Sequence, residues 1–389
     1  MNKMAFIDLC NFVNWPMGGM IQYELMILET LEKVYEIDLW GVSVDGECNR
    51  EIQINGKTYP LHIFANVKSR NRIIPNYWKG LFIQKYRKHL LNYAIIYVHT
   101  GSCLISMNGK AQTERPLLVY HQHGLQYLDD HSIKTVIQKP FMNSAQKRAD
   151  FSLVVTGQEE LEAYVSQKRK KLGNKLSAIG SPIEGITVSG EMLSQKIGKD
   201  ENSEATVRNW SFIYTGRLAP IKNVPKLIEV FALFCRRGFE NSSLVIVGDG
   251  EEYNAVCRKI EELGLEERVL LTGEVEHKKV QDYLQKADFY ITASKGEGVS
   301  VAVLEAYAAG VPVVCFPVRG LKEQVKNAVT GYIAEDHSLE AFADAMKKAV
   351  DHQRELSYNS LDEAGRYQKE IIGRQIVDEF EKRQRNVFD

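Results

Sequence analysis

The sequence predicts an α/β protein of two doubly wound domains, each a mostly parallel sheet flanked by helices. Three observations predict it. At 389 residues the chain exceeds one ordinary core, which points to about two domains. Short strand-like runs alternate with helical patterns, the order that demands crossover connections and therefore parallel strands. The alternation stops at a polar stretch, residues 190–208, and then restarts.

Taken in order, the first βαβ unit comes from the apolar run Ala5–Leu9, a helical pattern from about Gly19 to Lys33, and the strand-like run Ile37–Val44. Asn55-Gly56 between short alternating runs has the chemistry of a two-residue hairpin turn. Strand runs recur at Ala94–Val98, Leu117–Tyr120 and Phe151–Val155, with helical stretches between. Residues 190–208 contain KDENSE and no aromatic residue, and are read as a linker over 191–208. The second series places strands at Ser211–Tyr214, Leu244–Val247, Val269–Leu271, Phe289–Thr292, Val311–Cys315 and Gly331–Ile333. The tail from Tyr367 to Arg385 is helical by periodicity and charge pattern. The expected domains are therefore 1–190 and 209–370, with a helix over 371–389 packing back on the first.

Composition narrows the function classes. Hydrophobic residues at 44% and charged residues at 25% describe a globular chain, not a disordered one. The six cysteines form no CxxC pair, which fits thiols in a reducing compartment, and neither an apolar span of ~18 residues nor a secretory signal pattern is seen. The expected location is the cytoplasm. Net charge is −1, but residues 1–190 hold 22 Lys+Arg against 17 Asp+Glu, and the remainder 27 against 33. No carboxylate falls between Ile52 and Thr113, while nine Lys and Arg do. Within that region, residues 68–89 interleave cations with Tyr77, Trp78, Phe82 and Tyr86. A basic amphipathic helix there suits peripheral contact with the inner face of an anionic membrane. The bland reading is a surface helix whose aromatic face is core. Nucleic acid is not expected, since no recognised module accompanies the charge.

Two constellations carry chemistry. After the strand SFIYT comes Gly216-Arg217-Leu218-Ala219-Pro220-Ile221-Lys222, a strand-to-helix turn where glycine permits close approach and two cations can neutralise a diphosphate. Further on, Glu297 and Glu305 flank a helix start near Ser300. Amides of Val299, Ser300 and Val301 can face phosphate oxygens while the carboxylates accept from sugar hydroxyls. In the first half, Gly18-Gly19 lie at a βα turn, and His121-Gln122-His123-Gly124 follow the strand LLVY. Alternation puts His121 and His123 on one face, but spacing suggests no third ligand, so no metal is expected.

These residues resemble the retaining glycosyltransferases of the GT-B fold, family 4 (glycosyl transferases group 1). The resemblance is carried by Ser294, Glu297, Gly298, Leu304, Glu305, Ala306, Ala308, Gly310, Pro312 and Val313, with the GR-x4-K turn, the VGDG run at Val247–Gly250 and ADFYITAS at Ala287–Ser294, all in the family's order. It implies two Rossmann-like domains facing across a cleft. It further implies that Arg217 and Lys222 hold the donor diphosphate and Glu305 the ribose hydroxyls. Glu297, with the Val299, Ser300 and Val301 amides alongside, then holds the transferred sugar. By the same resemblance Gly18, Gly19 and Gly216 approach the donor, and His123 lies near the reacting centre. Gly320 and Glu323 match the family's G-x-x-E. Two departures stand out: Ser181-Pro182-Ile183-Glu184 replaces an Asn-Gly-hydrophobe-Asp pattern, and Val299-Ser300 replace the usual residues after Glu-Gly.

The implied activity is transfer of a hexose-type sugar from a nucleotide diphosphate sugar, UDP favoured over GDP on frequency, to a hydroxyl of a glycan or lipid-linked acceptor, as in polysaccharide or glycolipid synthesis. Configuration is retained, with no cofactor and no metal, because Arg217, Lys222 and the helix start stabilise the leaving diphosphate. The competing readings are a GT-B phosphorylase or nucleotide-sugar epimerase, and a non-catalytic homologue that binds a glycan or partner.

Overall fold

The computed structural model describes residues 2–13, 19–44, 46, 50–67, 76–105, 115–125, 133–168, 170–186, 188–198 and 209–388. It comprises two units, Met1–Pro182 with Lys369–Asp389, and Ile183–Gln368.

Among the described residues the first unit holds eight strands: β1 (Asn2–Ile7), β2 (Tyr35–Ser43), β3 (Arg50–Ile54), β4 (Lys57–Asn66), β5 (Ile95–Val98), β6 (Leu117–Gln122), β7 (Phe151–Val155) and β8 (Leu176–Ile179). Their order is β3-β4-β2-β1-β5-β6-β7-β8, parallel except for the antiparallel β3–β4 pair. Asn55 and Gly56 turn that hairpin with φ of 49° and 81°, the double positive φ of a type I′ turn. Strand β8, LSAI, is too short and too closely flanked by lysine and glycine to stand out in the sequence. Helix Lys369–Phe388 packs on helix Gly19–Leu31 and inserts Phe380 among Tyr35, Tyr97 and Phe151. Gly373 makes the approach close: a Cβ there would lie 2.3 Å from Thr30 Cγ2.

The second unit is a six-stranded parallel sheet ordered β11-β10-β9-β12-β13-β14, from β9 (Ser211–Thr215), β10 (Ser243–Val247), β11 (Val269–Gly273), β12 (Phe289–Thr292), β13 (Val313–Cys315) and β14 (Gly331–Ile333). Its core runs from Phe212, Phe231, Phe234 and Phe289 to Val303, Tyr307, Phe342 and Met346, all buried. Chain order reverses at β9, so the crevice beyond the C-terminal ends of β9 and β12 is the topological switch point.

Three expectations need correction. The expected boundaries near 190 and 370 both lie C-terminal to the observed ones, Pro182/Ile183 and Gln368/Lys369; Ile183 N–H donates to Tyr367 O (2.8 Å) within the second unit and ties its two ends together. The first part of the expected linker, 191–198, belongs to a helix, Gly190–Gly198, that packs on helix Gln353–Gly365 and buries Leu193 against Gly310; residues 199–208 lie outside the described residues. The basic segment is not one amphipathic α-helix. Residues 68–75 lie outside the described residues, Asn76–Tyr86 is a 3₁₀ helix and Arg87–Leu90 a single α-turn. The 3₁₀ period of three brings Tyr77, Gly80, Ile83 and Tyr86 onto one inward face. Gly80 is required there, since a Cβ would stand 2.1 Å from Ser102 Oγ. Trp78 and Phe82 remain exposed.

Candidate functional site

Two loops are laid backbone on backbone at the C-terminal ends of β9 and β10. Gly216 N–H donates to Val247 O (3.0 Å) and Leu218 N–H to Asp249 O (2.9 Å). Gly248, at φ 144°, passes so close that a Cβ would meet Gly216 O at 2.0 Å. This explains the glycines of VGDG: they let the second loop press on the turn that carries Arg217 and Lys222. Tyr214 and Tyr290, side by side on β9 and β12, brace the turn by donating to Arg217 O and Thr215 O.

Lys222 is tied to the loop after β12. Lys222 Nζ lies 2.6 Å from Glu297 Oε1, and Ser294 Oγ donates to the same oxygen at 2.7 Å. Asn223 Nδ2 bonds Ala293 O, and Lys295 N–H bonds Ile221 O, so two side chains and two backbones are joined. The Glu297 side chain is only 10% exposed. The loop is backed by Gly320 at φ 82°, where a Cβ would lie 2.4 Å from both Glu297 O and Gly298 O.

The other expected residues stand as follows. Arg217 is outside this cluster: its side chain is 75% exposed, with Glu251 Oε1 3.9 Å away. Helix Val301–Ala308 begins where expected, with Ser300 as N-cap. The Ser300 amide is not free, however. It donates to Gln324 Oε1 (2.9 Å), and Gln324 Nε2 donates back to Ser300 O (2.7 Å). Val299 is half-buried against the core of this unit, and Val301 opens the helix. Glu305 is held by His277 Nε2 at 2.8 Å, and this bond keeps the imidazole above its ordinary pKa. Glu323 lies in the short helix Leu321–Gln324 after Gly320. Gly18 lies outside the described residues, and Gly19 opens helix Gly19–Leu31.

In the first unit His123 sits just past β6 in a cluster that spacing alone does not reveal. His99, past β5, puts Nδ1 3.0 Å from His123 Nε2, and its ring stacks on His121 at 4.8 Å and 7°. Glu24, from helix Gly19–Leu31, places Oε1 3.5 Å from His99 Nδ1 and 3.8 Å from His123 Nε2. Tyr97 O–H pairs with His121 Nδ1, Thr100 O–H with Asp8 Oδ1, and Cys10 Sγ stands 3.8 Å from Glu24 Oε2. Burial sets the protonation states. It drives His99 and His121 well below the ordinary imidazole value and His123 down to about 4, while raising Asp8 to about 6 and Glu24 well above the carboxylate range. The missed residues had a signal. Asp8, His99 and His123 each follow directly on one of three neighbouring parallel strands, β1, β5 and β6, where ligands of such sheets bind.

Residues 197–368, nearly the whole second unit, match the family described as "Glycosyl transferases group 1". Among curated relatives, the phosphatidylinositol N-acetylglucosaminyltransferase GPI3 subunit of Saccharomyces cerevisiae is 29% identical over 168 residues, 42% of this chain and 37% of that protein. The UDP-Gal:alpha-D-GlcNAc-diphosphoundecaprenol alpha-1,3-galactosyltransferase of Escherichia coli is 30% identical over 145 residues, 36% of this chain and 37% of its own length. These matches thus span about a third of the relatives. Over the full chain the likeness is structural. Anabaena HepE, solved in complex with UDP, superimposes with a TM-score of 0.70 at 19% identity, covering 98% of this chain and 100% of that one. The fold is therefore GT-B, two Rossmann-like α/β domains.

Proposed function

We propose, from the premise that the second unit belongs to the glycosyl transferases group 1 family, that the chain transfers a sugar from a nucleotide diphosphate sugar to a hydroxyl of a glycan or lipid-linked acceptor. The observation that carries this reading is the Lys222–Glu297–Ser294 cluster beside the start of helix Val301–Ala308. A cation and a helix N-terminus suit phosphate oxygens, and a shielded carboxylate next to them suits sugar hydroxyls.

On this reading Lys222 turns from Glu297 toward the donor diphosphate, which frees Glu297 to accept from the sugar. Arg217, whose side chain meets only Glu251 at 3.9 Å among the described residues, closes on the outer phosphate. Donor phosphate takes the Ser300 amide from Gln324, and ribose hydroxyls take Glu305 from His277. The departing phosphate then helps remove the acceptor proton on the same face, which retains configuration. The family resemblance assigns His123 to positioning the sugar; its Nε2 is turned to His99 and Glu24. No cofactor enters these steps. UDP is favoured because HepE holds UDP and the Escherichia coli relative is named for UDP-Gal; the latter's diphosphoundecaprenol acceptor supports a lipid-linked one. Exposed Trp78 and Phe82 beside Lys85, Arg87 and Lys88 support peripheral contact with anionic membrane.

A thermal-shift panel of UDP, GDP, ADP and dTDP tests donor class, because a selective ligand stabilises the fold by mass action. UDP should raise the midpoint most. Arg217→Ala should remove most turnover of the donor; an unchanged rate excludes the role given to Arg217. Binding of a glycan with no donor turnover in the wild type would instead support a non-catalytic homologue.

A further inference from the structure

We propose that Glu24, His99 and His123 form a site for one divalent transition-metal ion of the Zn2+ class, held inside the first unit. The inference does not depend on the transferase reading. Spacing in the sequence offered the pair His121 and His123 without a third ligand. The fold pairs His123 with His99 instead, because β5 and β6 are neighbours, and helix Gly19–Leu31 lays Glu24 over both.

The geometry suits an ion. The three donor atoms, His99 Nδ1, His123 Nε2 and Glu24 Oε1, stand 3.0, 3.5 and 3.8 Å apart. A tetrahedral ion with bonds of about 2.0–2.1 Å spreads its donors about 3.3–3.4 Å apart, so one ion fits between these atoms with little movement. Two imidazoles and a carboxylate form a donor set that such ions take, with a fourth position left for water.

A second observation points the same way. Glu24 is 1% exposed, and its Oε1 has no hydrogen-bond partner among the described residues although it faces two imidazole nitrogens. No lysine or arginine pairs with it among the described residues. Without a cation in reach the buried carboxyl keeps its proton and the two imidazole nitrogens share a hydrogen bond; a metal ion entering among the three atoms releases the carboxyl proton, takes both ring lone pairs and supplies the missing positive charge. The exposed edge of His123, at 19%, is the way in. Outer support is thin: with Nδ1 as ligand, the His99 proton sits on Nε2, which has no partner among the described residues. Losing such a partner weakens metal sites by about 10–100-fold, so binding weaker than in a fully supported structural zinc site is expected.

One rival set shares Glu24, namely Asp8, Cys10 and Glu24, and the test separates the two. The full chain is freed of metal with a chelator and titrated with Zn2+ and Co2+ by calorimetry and visible absorption. The expected result is one equivalent bound, with Glu24→Gln and His99→Gln each weakening it at least about tenfold. X-ray absorption on the wild-type Zn2+ complex requires no variant and guards against misfolding; it should show imidazole and oxygen scatterers without sulfur. Uptake below one tenth of an equivalent, binding unchanged in both folded variants, or a sulfur scatterer from Cys10 would each overturn the proposal.

Discussion

Replacing Lys222 by Met tests whether the central cluster is one electrostatic unit. In the wild type Glu297 Oε1 receives both Lys222 Nζ at 2.6 Å and Ser294 Oγ at 2.7 Å, and the carboxylate is nine-tenths covered. A charge-assisted hydrogen bond contributes about 1.5–3 kcal/mol, and removing one partner exposes the desolvation cost of the other. Because Lys222 is a quarter exposed, screening lowers this to about 1–2 kcal/mol. For a unit of this size that corresponds to a fall of about 2–8 °C in its melting midpoint. Glu297→Gln keeps an acceptor for Ser294 and removes the charge, so Lys222→Met should then matter little. The double variant should melt close to Glu297→Gln alone. Calorimetry of the full chain is the assay, because two units need not melt together and enthalpy reports each transition. Additive losses, with coupling below about 0.3–0.5 kcal/mol, would refute the claim that these side chains act as a unit.

Other consequences are equally direct. Gly320→Ala adds a Cβ 2.4 Å from two carbonyl oxygens at φ 82°; strain of about 1–3 kcal/mol and displacement of the Glu297 loop should lower stability and nucleotide affinity together, and wild-type behaviour in both would contradict the packing described. Asp38 is held down to about 2: burial raises its pKa, but the nearby His62 imidazole (3.4 Å), the Tyr93 hydroxyl and the Lys3 ammonium outweigh this. A lowered folded pKa means its contribution, about 1–2 kcal/mol after screening at half-exposed Lys3, is present above pH 4 and lost as pH falls toward 2. Urea midpoints of wild type and Asp38→Asn should therefore differ at pH 6 and converge near pH 2. At Gly373 the helix gain of alanine, about 1 kcal/mol, is opposed by Thr30 at 2.3 Å, a β-branched side chain that cannot swing aside. Gly373→Ala should thus loosen the C-terminal helix and speed limited proteolysis there; an unchanged cleavage rate would show that the two helices have room to shift.

Much of the second unit was legible in the sequence because its signals are local. Period-two runs mark strands, and Gly216, Arg217 and Lys222 sit within one turn. Glu297 and Glu305 are placed by the helix start between them. Less of the first unit was legible, since its informative residues come from different crossovers. Glu24 looks like an ordinary helix residue and His99 like a strand end until β1, β5 and β6 are set side by side. The 3₁₀ segment misled for a related reason. A period of three and one of 3.6 part by only about 20° per residue, so a short stretch fits both, and the close fit of Gly80 over Ser102, which the sequence does not show, goes with the tighter coil.

By itself, then, the sequence determined the two α/β series, the hairpin at Asn55-Gly56 and the phosphate-suited turn, all of which rest on residues within a few positions of each other. Tertiary structure alone decided that Gln324 occupies the Ser300 amide, that His277 holds Glu305, that Lys222 rests on Glu297, and that His99 and Glu24 enclose His123. Those partners lie 24 to 99 residues apart or bridge separate crossovers, and the order in which strands pair, not local propensity, sets which side chains meet.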